Sequence, residues 1–146
     1  MIEIKRSAEL EVRVRESLQA AKEGDDQWFA DHTANGDVLF YGTAGEEFRG
    51  RDAVLSLSLA ESRAQSEAAG ITQDENPEFE CFEAGDAGWV VYHTHFGLAN
   101  GSRVPVRSVI VLVRDDGDWK RVFGSVSIDV DDALLTPGSP LATGGA

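Results

Sequence analysis

At Gly70 the spacing of apolar residues changes from helical to alternating, and that switch is the strongest constraint on the fold. Beyond it come four extended segments rich in β-branched and aromatic residues: 78–84, 89–98, 103–114 and 119–130. They are joined by Gly85-Asp86, by Asn100-Gly101 and by Asp115-Asp116-Gly117-Asp118. Connections this short can only join antiparallel neighbours, so the second half reads as a meander.

The first half is helical with two short extended interruptions. Leu10, Val14, Leu18 and Ala21 recur at helix spacing, with Ser7 placed to cap the start and Gly24 to end it. A short helix is expected from Asp25 or Asp26 through Trp28 and Phe29 to about His32. Residues 38–43 and Phe48-Arg49 read as brief strands. A third helix is expected from Asp52, as a capping acid, through Val54, Leu55, Leu57 and Leu59 to Gly70.

Helices first and a meander after make an α+β fold: a cone-shaped, curved antiparallel sheet wrapped around three N-terminal helices. A pocket is expected between the two layers. The opposite sheet face would be bare in a single copy, so a homodimer through that face is expected. Residues 1–132 read as one domain, and residues 133–146, poor in apolar groups, as a disordered tail.

Charge then narrows the function classes. Thirteen Lys and Arg against 26 Asp and Glu leave a net charge of −13, which argues against nucleic acid or an anionic membrane as partner. The single cysteine, Cys81, has no partner for an internal disulfide and reads as an inert buried thiol. No apolar run approaches the roughly 18 residues of a membrane span, and the first residues lack a signal-peptide core. A cytoplasmic protein is the expectation. Ten arginines against three lysines point to a GC-rich bacterial genome.

Several stretches then carry a resemblance: Trp28-Phe29-Ala30-Asp31, Val38-Leu39-Phe40-Tyr41-Gly42-Thr43, Phe48-Arg49-Gly50-Arg51-Asp52-Ala53-Val54, Gly88-Trp89-Val90-Val91, and the closing run from Arg114 to Val122. In order and spacing, over residues 7–130, they resemble the nuclear-transport-factor-2-like superfamily, which includes ketosteroid isomerase and the SnoaL-like polyketide cyclases. The resemblance implies a cystatin-like α+β barrel. It also implies what is missing. The isomerase's general-base aspartate falls at Tyr41, and its buried proton-donating acid falls near Val109. Steroid isomerisation is therefore not expected. The His-x-His-x-Ser ending of many SnoaL-like domains reads Phe123, Ser125, Ser127 here, so only the serine fits.

His93 and His95, two apart on a strand, share one face with Trp89 and Val91. Alignment to the isomerase puts both at pocket-lining positions, where a histidine can transfer protons near neutral pH. The competing reading is two half-buried strand histidines satisfied by neighbours. Arg107 lies in the otherwise apolar run from Val104 to Val111, and would anchor a carboxylate, phosphate or enolate if its face lines the pocket. Otherwise it pairs with one of the many acids. Tyr41 can donate a hydrogen bond to a ligand oxygen or simply pack, and Trp28 fits a pocket wall or the core.

No metal site is expected, because His32 stands apart at a helix end and zinc needs three or four protein ligands. No cofactor is expected either. The leading expectation is a small-molecule-binding domain whose ligand is small and apolar or anionic, with Tyr41, His93, His95, Arg107 and Trp28 in its pocket. The alternatives are an isomerase, cyclase or dehydratase acting next to a carbonyl with a histidine base, and a dimeric association module.

Overall fold

The computed structural model describes residues 1–56 and 59–129. The chain runs β1 (Lys5–Arg6), α1 (Ala8–Glu23), α2 (Asp26–Asp31), β2 (Leu39–Tyr41), β3 (Glu47–Arg49), α3 (Arg51–Val54), α4 (Leu59–Ala68), β4 (Thr72–Gln73), β5 (Glu78–Ala84), β6 (Ala87–Gly97), β7 (Arg103–Asp115) and β8 (Asp118–Ile128). All the strands form one curved, unclosed sheet in the order β1-β5-β6-β7-β8-β2-β3, with β4 pairing at the end of β6. The domain is α+β.

The meander β5 to β8 is antiparallel throughout, and its last turn carries positive φ at both Asp116 (51°) and Gly117 (77°). Two positive φ values in succession are the type I′ geometry that matches strand twist. The sheet as a whole is mixed rather than purely antiparallel, because β2 pairs β8 in parallel, Phe40 opposite Gly124. A Cβ on Gly124 would lie 2.6 Å from the Phe40 ring and 3.0 Å from Ile110, so only glycine lets β2 dock there.

The helix expected from Asp52 to Gly70 is interrupted. Gly50, at φ 87°, precedes α3, and Asp52 lies inside its first turn instead of capping it. The Ser56 amide and hydroxyl both return to the Ala53 carbonyl, which ends the turn. The helix resumes at Leu59, whose amide donates to the Asp26 carboxylate. Leu57 and the expected tail, residues 133–146, lie outside the described residues.

The core forms where α1 crosses the sheet. Ser7 caps α1 by accepting from the Leu10 amide at 3.1 Å, while its hydroxyl donates to Glu83 on β5 at 2.9 Å. This buried cap aims Leu10 and Val14 at Cys81, Val90 and Trp119, and all five are 4% exposed or less. Leu10 fits because β6 offers Gly88 at the contact: a Cβ there would meet Leu10 at 2.6 Å and Trp119 at 3.1 Å. Burial lifts the Cys81 thiol to about 11, so it is inert at neutral pH.

Candidate functional site

Along β6 the side chains of Val90, Tyr92, Thr94 and Phe96 face the helices, and along β7 those of Ser108, Ile110 and Leu112 do so. Between them and α1, α2 and α4 lies a cavity of about 990 Å³. On β8 the pattern shifts. Leu112 pairs with Arg121 but Val111 pairs with Phe123, so Val122 is an extra, bulged residue. The bulge lets Trp119, Arg121 and Val126 all reach the cavity although Val126 is five positions beyond Arg121, an odd step that strict alternation would send to the other face.

The expected site residues divide by face. Trp28 lines the cavity. His93, His95 and Arg107 do not, since they have the opposite alternation on β6 and β7 and project from the other side of the sheet. His93 is exposed and stands between Glu78 and Arg107 in the strand register. His95 has its Nδ1 3.4 Å from Asp74, which also accepts from the His95 amide and the Thr94 hydroxyl and pairs with Arg103. Arg107 pairs with Asp129 at 3.5 Å. Tyr41 is opposite Ser125 and packs edge-on against Phe123, with ring centroids 5.7 Å apart, on that same outer face. The expected pocket of Tyr41, His93, His95, Arg107 and Trp28 is thus corrected to one that keeps Trp28 alone.

His32 and Arg121 take the place of the others. The Asp25 carboxylate caps α2 by accepting from the Trp28 amide, which sets Trp28 and His32 one turn apart on the cavity side. Their rings stack at 4.0 Å, and His32 Nδ1 lies 2.7 Å from the Trp28 carbonyl. A carbonyl only accepts, so Nδ1 carries a proton, and Nε2 is the nitrogen that would accept one when the ring is neutral. That Nε2 lies 3.6 Å from Asp118, whose other oxygen accepts from Arg13 at 2.6 and 2.8 Å. Burial alone would raise the Asp118 carboxyl; hydrogen bonds from Arg13 and the Trp119 amide overcome it and hold the group below its ordinary value.

Where α2 ends, its backbone is stitched to β8. The Arg121 amide donates to the His32 carbonyl at 2.9 Å, and the Ala34 amide donates to the Arg121 carbonyl at 3.0 Å. Arg121 Nε donates to the Thr33 hydroxyl at 2.6 Å, and that hydroxyl donates in turn to the Phe29 carbonyl. The guanidinium lies 5.3 Å from the Phe29 ring centroid. Burial lowers its pKa, yet a guanidinium remains charged at any physiological pH. Across the cavity Tyr92 is pushed up to about 12 by burial, partly countered by Ser17, and stays a neutral hydroxyl. Among the described residues no cluster of three or more His, Cys, Asp and Glu groups has metal-binding geometry, and no helix is long and apolar enough to cross a membrane.

Comparison with known proteins agrees with this architecture. The family model described as the SnoaL-like domain matches residues 11–131. No curated protein matches the chain. A nuclear-transport-factor-2-like protein of unknown function from Pseudomonas putida KT2440 is similar at 16% identity and TM-score 0.63, over 90% of this chain and 95% of that one. A protein with a cystatin-like fold from Caulobacter vibrioides is 18% identical with TM-score 0.62, over 91% and 94% of the two chains. A candidate dehydratase of the same family from Streptomyces avermitilis is 18% identical with TM-score 0.57, over 82% of this chain and 94% of that one. At such identities the shared property is the fold.

Asp118 gives a prediction with a definite sign. Its folded-state carboxyl is depressed, so its contribution to stability is present above the unfolded value, near ~3.9, and is lost as pH falls through the folded value. Asp118→Asn should lower the urea midpoint at pH 7 and leave it close to the unmodified protein's at pH 3. Relief of general repulsion in a chain of net charge −13 acts in the opposite direction at pH 7, so the control is Asp116→Asn at an exposed turn, which removes the same charge; a midpoint for Asp118→Asn no lower than that control's would refute the assignment.

Proposed function

The chain belongs to the SnoaL-like domain family, and on that premise we propose that it is a small-molecule-binding domain that holds its ligand in the cavity between the helices and the sheet. The cavity itself carries this reading. At about 990 Å³ it is near the upper end of the roughly 300–1,000 Å³ usual for ligand sites. Its wall combines apolar side chains such as Trp28, Phe29, Ile110 and Leu112 with polar and charged ones, among them Tyr92 and Arg121. Core packing normally leaves few voids larger than a water molecule, so an opening of this size in a small domain calls for a use.

His32 favours a second reading, in which the ligand is turned over. In the neutral ring its Nε2 is the basic nitrogen, and a proton taken there creates an imidazolium beside Asp118, which Arg13 pairs with. Proton abstraction next to a carbonyl would use these groups, in place of His93 and His95 on the other face. Dehydration, the activity by which a structural neighbour from Streptomyces avermitilis is provisionally named, is one reaction such a base could serve.

The outer sheet face supports a third element, contact between two copies of this chain. Phe82 and Trp89 stack there at 5.8 Å, and Val91, Val109, Val111 and Phe123 continue the apolar surface. A strand apolar on both alternations, as β7 is, is the pattern of a sheet covered on both faces. This face suits a homodimer, and it is also the surface an association module would use.

Three measurements test these readings. Titration of the full chain with 1-naphthol should quench tryptophan fluorescence saturably, and Ser108→Phe, which puts a ring into the cavity, should weaken the binding while circular dichroism stays the same. Equal binding by that variant would move the site elsewhere. For a reaction on a confirmed substrate, His32→Gln should lower kcat by ~100-fold or more, the usual share of a general base; an unchanged kcat would end the catalytic reading. Sedimentation equilibrium should give twice the chain mass for the unmodified protein and a single chain mass for Val109→Glu. A monomeric unmodified protein would exclude the dimer.

A further inference from the structure

We infer that Arg121 is an anion anchor, and that the cavity takes an apolar molecule bearing a single carboxylate, gripped by the free edge of this guanidinium. The inference rests on the reading of the cavity as a ligand site and gives that ligand a chemical class. Arg121 uses only Nε within the protein, on the Thr33 hydroxyl, and its two terminal nitrogens have no hydrogen-bond partner or counter-ion among the described residues. Neither nitrogen is sealed from open space, unlike Arg114 Nε and Trp119 Nε1, which are buried and unpaired. The cavity is the space Arg121 lines.

The contrast with the other arginines is informative in so acidic a chain. Arg6, Arg13, Arg49, Arg103, Arg107 and Arg114 each pair with a carboxylate. Arg51 and Arg63 donate to backbone carbonyls. Arg63 also lines the cavity but is exposed to solvent; Arg121 is partly buried there, held through Nε alone, with both terminal nitrogens unused among the described residues. Thr33 and the Phe29 face hold the planar group still, and the β8 bulge sets its direction, so little rotamer freedom remains to be lost on binding.

Arg13, also on the cavity wall, is unavailable because Asp118 and Glu16 already occupy it. A single fixed guanidinium among apolar neighbours, in a strongly negative protein, favours a monoanion over a phosphate dianion; Lys22, also on the cavity wall, is exposed to solvent. Two parallel N–H donors match the two oxygens of a carboxylate.

The test is calorimetric titration of the full chain with 1-naphthoate, 1-naphthamide and 1-naphthyl phosphate, alongside the neutral 1-naphthol. Naphthoate should bind at least about tenfold tighter than the amide, the gain expected for a charge-assisted contact. Arg121→Gln should erase that preference and keep the amide affinity, whereas Arg121→Lys, with its charge but no fork, should keep part of it. Equal affinity for naphthoate and naphthamide, tighter binding of the phosphate, or a preference that survives Arg121→Gln would each overturn the inference. Should Arg121→Gln fail to fold by circular dichroism, the comparison in the unmodified protein and in Arg121→Lys decides. Binding of naphthol without naphthoate overturns the anion anchor alone, while no binding by any of the four overturns the cavity reading with it.

Discussion

A side chain on a strand has only two directions open to it, and for this reason the extra residue Val122 governs what the cavity contains. With uninterrupted alternation from Trp119, the inward set on β8 would run Arg121, Phe123, Ser125. Phe123 would then fill the space beneath α2, and Gly124 would turn its open side outward. The bulge reverses this beyond Arg121. Phe123 joins the outer face against Tyr41, and Gly124 turns inward, where it admits the Phe40 ring. The parallel docking of β2, the open space beside Arg121 and the place of Phe123 on the outer face follow from this one inserted residue.

A second constraint, at the other end of the cavity, is the buried cap of α1. Ser7 accepts from the helix and donates to Glu83, and Glu83 is in turn shared with Arg114 and Lys5. Hydrogen bonds from Ser7 and Arg114 hold the Glu83 carboxyl below its ordinary value. Leu10 is thereby pinned onto Gly88, and α1 meets the sheet closely at that end, while the chain at the end of α2 is held to β8 through His32 and Ala34. The cavity lies between these two contacts. Its depth depends on where the tight contact lies, so Gly88 shapes the site without touching a ligand.

The strands and turns of the meander were legible in the sequence because their signals are local: a change of period at Gly70, Asn100-Gly101, and Asp116-Gly117 with its two positive φ values. The direction of each face was not. From Val104 to Val113 both alternations of β7 are largely apolar, and β6 offers Trp89 and Val91 on one side against Val90 and Tyr92 on the other. With no polar face to break the tie, either assignment satisfies the pattern, and the wrong one carries His93, His95 and Arg107 into the pocket together. The parallel pairing of β2 with β8 joins residues more than eighty positions apart through three-residue contacts, which leave no local trace. A usable signal did exist in Trp119, the largest fully buried side chain: an arginine two residues beyond it on a strand must share its face.

The electrostatics of the chain give Arg121 its meaning. In a protein with twice as many acids as bases, a carboxylate is the easiest partner for any arginine to find, and six of the ten have one. Removing a guanidinium from water without such a partner costs stability, and the Phe29 face and the Thr33 hydroxyl offset that cost only in part. A carboxylate at the inward positions nearest it in the strand register, Leu112 or Ile110, would relieve it more fully and at the same time close the site to anions. The positions are held instead by apolar groups. A fold under selection for stability alone has no reason to keep that arrangement, whereas a cavity that must receive an anion from outside requires its cation to be left unneutralised.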